Sequence, residues 1–166
     1  MFLNFGHQRE LSVEALLARR EESLILDLRG GEDYEPAIPG SRQVYILKIF
    51  DQGKEFQERF DETLRSRPLL LYCGHGGGSA LAVKKFKRKY RAQSLKGGMV
   101  GYLEFITQLL GNHPYENPET REETIRRLLL ALTDRHTPFR TFRAIADRLL
   151  RASPDPRIRR QVSPGF

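Results

Sequence analysis

Two apolar runs with no polar interruption, Leu24-Ile25-Leu26 and Leu69-Leu70-Leu71, constrain this 166-residue chain more than any other feature. Each is too short for an ordinary helix, lies between polar or turn-forming residues and leaves no polar face for solvent. That is the pattern of a strand covered on both sides. The runs predict strands over 23–28 and 68–73. Residues 43–47, after the Pro39-Gly40 turn, and 93–95, before Lys96-Gly97-Gly98, predict two more. Between them, apolar residues at three- and four-residue spacing predict helices over 11–20, with Ser12 as N-cap, 56–64, 79–90 and 99–110, with Gly111 as the C-cap of the last. Alternation of this kind predicts an α/β domain with a mostly parallel central sheet and helices on both faces.

From His113-Pro114 onward the texture changes, because prolines cut the remainder into two amphipathic pieces, 119–133 and 139–150, and a tail. The expected organisation is an α/β domain over 1–111, a helical extension over 112–153 that packs on the domain or on a second copy, and a basic, disordered tail over 154–166. No apolar run approaches the ~20 residues of a membrane span, and the N-terminus lacks the zones of a secretory signal. The expectation is a cytoplasmic protein without membrane association.

A single cysteine excludes an intramolecular disulfide and a cysteine-rich metal cage, and suits a reducing compartment. The formal charge of +7 is unevenly placed. Residues 1–83 are slightly acidic, whereas Lys84, Lys85, Lys87, Arg88, Lys89, Arg91 and Lys96 follow with no acidic residue among them. Anions are the expected ligands.

Cys73 ends the second strong strand and opens the segment Cys73-Gly74-His75-Gly76-Gly77-Gly78-Ser79. Open α/β sheets place ligands at the carboxyl ends of their strands. Glycines let successive amide N–H groups turn inward as an anion-binding concavity, and the start of the following helix adds to the effect. Both favour thiolate over thiol. A buried, inert cysteine would account for Cys73 but not for four glycines in the next five residues.

These residues resemble the rhodanese family. Leu26-Asp27-Leu28-Arg29 is similar to its D-V-R strand end, Asp33-Tyr34 to its E-Y pair, and Ile38-Pro39-Gly40-Ser41 to its I-P-G-A turn. Leu70-Leu71-Tyr72-Cys73 with the glycine loop resembles its V-x-Y-C strand and active-site loop, and Leu95-Lys96-Gly97-Gly98-Met99 its L-x-G-G segment. The motifs fall in the family's order over roughly residues 8–108. The chain departs from the C-x-x-G-x-R loop at Gly78, which stands where the family has arginine. Its six-residue loop matches sulfurtransferases rather than the longer loop of related phosphatases, and Tyr102 stands where a tryptophan is frequent.

The resemblance implies a sulfurtransferase or persulfide carrier needing no metal or cofactor. Cys73 would take a sulfane sulfur from a small anionic donor, thiosulfate or a persulfide, and pass it to a thiol or cyanide. Gly74, His75, Gly76, Gly77, Gly78 and Ser79 form the expected substrate loop. Asp27 and Arg29 are expected to organise the strand end and the neighbouring loop through a buried ion pair or backbone hydrogen bonds, and Lys84 and Lys85 to steer anions. The alternative is a non-catalytic interaction module whose helices at 112–153 bind a protein partner or a second copy. A nucleic-acid partner is disfavoured, because no stacking pattern accompanies the basic residues.

Overall fold

The computed structural model describes residues 9–30 and 36–162. The Asp33-Tyr34 pair lies outside the described residues. The elements are β1 (Glu10–Leu11), α1 (Val13–Ala18), β2 (Leu24–Asp27), β3 (Arg42–Gln43), α2 (Ile46–Arg59), α3 (Asp61–Ser66), β4 (Leu69–Tyr72), α4 (Gly77–Val83), β5 (Ala92–Leu95) and α5 (Gly98–Asn112). A 3₁₀ turn at Pro118–Thr120 leads into α6 (Arg121–Thr133), α7 (Phe139–Arg151) and α8 (Pro156–Arg159). The strands form one five-stranded sheet in the order β1-β5-β4-β2-β3. Every pairing is parallel.

The apolar runs behave as doubly covered strands. All four residues of β2 and of β4 are buried. Alternation along them divides two cores: Ile25, Leu70, Tyr72 and Leu95 join one cluster with α1, α5, α6 and α7. Leu24, Leu26, Leu28, Leu69 and Leu71 join the other with Ile49, Leu64, Ala82, Val83, Phe86 and Tyr90. A strand with apolar side chains on both faces can lie only between two such layers.

The two amphipathic pieces beyond His113 pack on the domain itself. Leu128, Leu132, Phe142, Ala146, Leu149 and Leu150 share the cluster of Ile25, Tyr72 and Tyr102. Burying each large apolar side chain contributes about 1.5–3 kcal/mol. Polar contacts fix the docking: Tyr102 donates its hydroxyl to Leu132 O at 2.6 Å, and Ala37 N–H donates to Thr133 O at 2.8 Å. Arg143 donates to Arg19 O at 2.5 Å and to Leu17 O, satisfying carbonyls at the end of α1. Ser12 caps the start of that helix, accepting from Ala15 N–H at 3.1 Å.

Several local expectations are corrected. The strand expected over 43–47 is only Arg42–Gln43, and Ile46 and Leu47 open α2. An apolar run of four residues fits either period, and burial of Ile49, three residues after Ile46 and ahead of a kink at Gln52, decides for the helix. The helix expected over 56–64 is divided at Phe60, whose φ of −109° and ψ of 14° separate α2 from α3. Helix α5 runs through Gly111 to Asn112, with His113 as C-cap.

The helix expected over 79–90 ends at Val83. Lys84, Lys85, Phe86 and Tyr90 instead make turn-type bonds to residues three back. Gln57 of α2 bridges this stretch, donating to Lys85 O and accepting from Lys87 N–H, both at 3.0 Å. Backbone groups that a longer helix would satisfy are met from outside. The tail, expected to be disordered from 154, carries α8 up to the last described residues, with Asp155 capping Arg157 N–H at 2.9 Å and Val162 buried. Among the described residues no helix is long and apolar enough to cross a membrane.

Candidate active site

Cys73 follows β4, the central strand of the sheet, and the chain then turns through Gly74, His75 and Gly76 into α4. Gly76 adopts φ 102°, a backbone state that side chains resist. A Cβ there would also stand 3.2 Å from Gly97 N and 3.4 Å from Leu95 O. The turn aims two amides at the sulfur: Gly76 N–H donates to Sγ at 3.1 Å and Ser79 N–H at 3.4 Å. Ser79 Oγ stands 3.5 Å from Sγ.

Behind Ser79, the hydroxyl of Ser94 on β5 lies 2.7 Å from Ser79 Oγ, and both serines are buried. With Ser94 donating to Ser79, the Ser79 proton faces two acceptors, Gly76 O at 3.2 Å and the Cys73 sulfur at 3.5 Å. Sequence reasoning missed Ser94. Its only signal is a small polar residue just before Leu95-Lys96-Gly97-Gly98, a motif that itself proves to be the shelf under the loop.

That shelf is close. Met99 N–H donates to Cys73 O at 2.9 Å and Val100 N–H to Gly74 O at 3.1 Å. Gly98, at φ 60°, admits no side chain: a Cβ would lie 2.5 Å from Cys73 O and 2.7 Å from Gly74 C. The glycine pair therefore exists so that β5 and α5 can pass directly beneath the sulfur-bearing turn.

Burial would raise the Cys73 pKa. The Ser79 hydroxyl and the N–H groups of Ser79, Gly76 and His75 outweigh it and hold the thiol below its ordinary value. Cys73 is only partly buried, so a thiolate here can be reached by a reagent.

The expected site residues are gathered unequally. Cys73, Gly74, Gly76, Gly78 and Ser79 surround the sulfur, and Gly77 begins α4. His75 is exposed at the tip of the turn, contributing its backbone N–H. Lys84 is the C-cap of α4, about 10 Å along the axis from Gly77, and Lys85 lies beyond it with Nζ over the Phe50 ring at 5.6 Å. Neither is part of the cradle.

Asp27 and Arg29 form the expected buried pair. Arg29 donates Nε to Oδ1 at 2.9 Å and Nη2 to Oδ2 at 2.8 Å, and its backbone N–H also reaches Oδ1. A second cation was not foreseen. Arg135, between α6 and α7, donates Nη2 to Asp27 Oδ2 at 3.2 Å and Nη1 to Ser41 O at 3.2 Å. Ser41 Oγ in turn meets the Tyr72 hydroxyl at 3.1 Å, next to Cys73 in the chain. Burial would raise the Asp27 pKa, but the hydrogen bonds and charge of Arg29 prevail and lower it. The Tyr72 phenol is pushed up to about 12, chiefly by burial.

A parallel, doubly covered sheet with one cysteine held by inward amides at the end of its central strand defines an α/β domain with a partly exposed thiol in an amide-lined turn. The model of the rhodanese-like domain matches residues 12–105, more than half of the chain. The chain belongs to the rhodanese-like domain family. It is 31% identical over 83 residues to a tRNA sulfurtransferase of Desulfurococcus amylolyticus, a stretch that covers 49% of this chain and 15% of that protein. Among solved structures it is similar to a rhodanese homologue of Thermus thermophilus, at 27% identity and TM-score 0.39, over 56% of this chain and 99% of the other. A NAD-dependent persulfide reductase from A. fulgidus is similar at 24% identity and TM-score 0.37, over 59% of this chain and 16% of that one.

Proposed function

We propose that the chain is a sulfurtransferase or persulfide carrier in which Cys73 moves a sulfane sulfur from thiosulfate or a persulfide to a thiol or cyanide. The observation that carries this reading is the position of Sγ at the focus of the Gly76 and Ser79 amides and the Ser79 hydroxyl. Family membership and the similarity to a protein named a sulfurtransferase support it.

In the first half-reaction the thiolate attacks the donor's outer sulfur. The donor S–S bond breaks, and its electron pair leaves with sulfite or with the donor thiolate. The new Cys73 persulfide carries its charge on a terminal sulfur that the loop N–H groups can stabilise. In the second half-reaction an acceptor thiolate or cyanide takes that sulfur and Cys73 thiolate is regenerated. Asp27, Arg29 and Arg135 hold the neighbouring strand end and take no part in bond making.

The interaction-module reading draws less support from the extension than its sequence suggests. Its apolar residues are spent in the shared core, and Leu130 is the large apolar side chain it leaves exposed among the described residues.

The test is intact-mass analysis of reduced protein after incubation with thiosulfate or, separately, with a persulfide. Wild type is expected to gain one sulfur that cyanide removes, and Cys73→Ser to gain none. A wild-type protein that alkylates readily at Cys73 yet takes sulfur from neither donor would end the sulfur-transfer reading.

A further inference from the structure

Gly78 has no backbone need for glycine, and a methyl group closes one side of it. The positive-φ glycines among the described residues are Gly40, Gly76, Gly97 and Gly98. A Cβ on residue 78 would stand 3.1 Å from Ile46 Cδ1, tighter than ordinary contact, and 3.8 Å from Cys73 Sγ. Ile46, in the first turn of α2, rests its terminal methyl group near the place where a side chain beside the sulfur would begin, and would have to turn aside to admit one.

The hydrocarbon continues outward. Phe50, one turn along α2, is 37% exposed, and Leu81, one turn from Gly78 along α4, is 56% exposed. Phe50 and Leu81 thus lie one turn beyond Ile46 and Gly78 on the two helices that meet beside Cys73, and exposed apolar side chains of this kind suit an apolar ligand. The nearest lysine along this face, Lys85, has its ammonium over the Phe50 ring.

Thiosulfate releases sulfite, a small dianion whose charge grows as the S–S bond breaks, and this wall offers it methyl groups in place of a bidentate cation. We propose that Ile46 and Gly78 together form a specificity wall, and that the donor it fits is an organic persulfide, R–S–SH, whose R group is uncharged and apolar. The inference rests on the sulfur-transfer reading and narrows its donor. Cys73 thiolate attacks the outer sulfur of R–S–SH. The Cys73 S–S bond forms as the donor S–S bond breaks, the bonding pair leaves with the inner sulfur as R–S⁻, and the proton that the outer sulfur carried passes through solvent to that thiolate, giving R–SH. The charge remains on the Cys73 persulfide, so the step needs no oxidant or reductant.

The test compares sulfur loading of the full chain by benzyl persulfide, by the persulfide of mercaptoacetate and by thiosulfate, read as initial rates from intact masses. The two persulfides share their reacting bond and differ in the charge beside it. Benzyl persulfide is expected to load on the order of tenfold faster than its charged counterpart, the scale on which apolar pockets discriminate. Ile46→Ser should shrink that ratio toward one. Gly78→Arg alone should gain no thiosulfate loading, whereas Ile46→Ala with Gly78→Arg should gain on the order of tenfold. Equal loading by the two persulfides in wild type overturns the wall and leaves sulfur transfer standing, and it does so even if no variant folds. Thiosulfate loading rescued fully by Gly78→Arg alone also overturns it. No loading by any donor, with Cys73 still open to alkylation, removes the sulfur-transfer reading and this inference with it.

Discussion

The ends of two neighbouring strands handle polar groups in opposite ways. After β4, Cys73 is held by backbone N–H groups and one serine hydroxyl, all from within six residues, and stays partly open to solvent. After β2, Asp27 is fully buried and is held by side chains, one of them 108 positions away in the chain. The first arrangement tunes a reactive atom while leaving it accessible. The second removes charge from water and ties the helical extension to the sheet. The environment of the sulfur is a local property of a glycine turn, whereas rigidity is assembled over long range.

The comparison can be broken most forcefully at Asp27. Asp27→Asn leaves two arginines around a neutral amide, and loss of one partner of a buried pair costs about 3–5 kcal/mol. Urea unfolding should show that loss, while the alkylation rate of Cys73 in the folded protein stays near wild type. The pH dependence follows from the lowered Asp27 pKa. Its stabilisation is complete above the ordinary carboxyl value of about 3.9 and fades as pH falls through the lower folded value. The variant should lack that acid-dependent component. A variant as stable as wild type would show that Asp27 does not join the two regions.

Next in size is Gly98→Ala. A non-glycine residue forced to φ 60° costs about 1–3 kcal/mol. Its Cβ must also displace the Cys73 and Gly74 backbone. Unlike Asp27→Asn, this change should impair both stability and the reactivity of Cys73, measured as alkylation rate in the folded state. Unchanged alkylation would mean that the shelf does not govern the loop.

The smallest expected effect sharpens the contrast. Ser79→Ala removes one hydrogen bond to the sulfur and should raise the Cys73 pKa by less than about one unit, since a single neutral bond contributes about 1 kcal/mol. Alkylation rate against pH reads the shift directly. Because the thiol sits below its ordinary value through several donors, the remaining amides should keep it reactive. A shift of several units would assign most of the tuning to Ser79 and Ser94 in place of the backbone.

How much of this was legible in the chain follows the same division. Leu24-Ile25-Leu26 and Leu69-Leu70-Leu71 announced doubly covered strands, because a wholly apolar strand has nowhere else to lie. Cys73 and its glycines announced a cradle, because the contacts that make it are only three and six residues apart. The end of α4 was not legible: Gln57, a polar residue with no distinguishing neighbours, reaches across from α2 to satisfy Lys85 and Lys87. Nor was Arg135, one of many arginines until the fold sets it on Asp27.

By itself the sequence determined the parallel α/β class and the amide-lined turn that holds Cys73, since periodicity, glycine backbone freedom and short-range hydrogen bonds are written in consecutive residues. Only the tertiary structure decided that the extension completes the domain's core, that Arg135 is the second partner of Asp27, and that Ile46 stands where a side chain on residue 78 would begin. Those contacts depend on which surfaces meet when the two faces of the sheet are covered, and no local pattern encodes the distance between residues that only packing brings together.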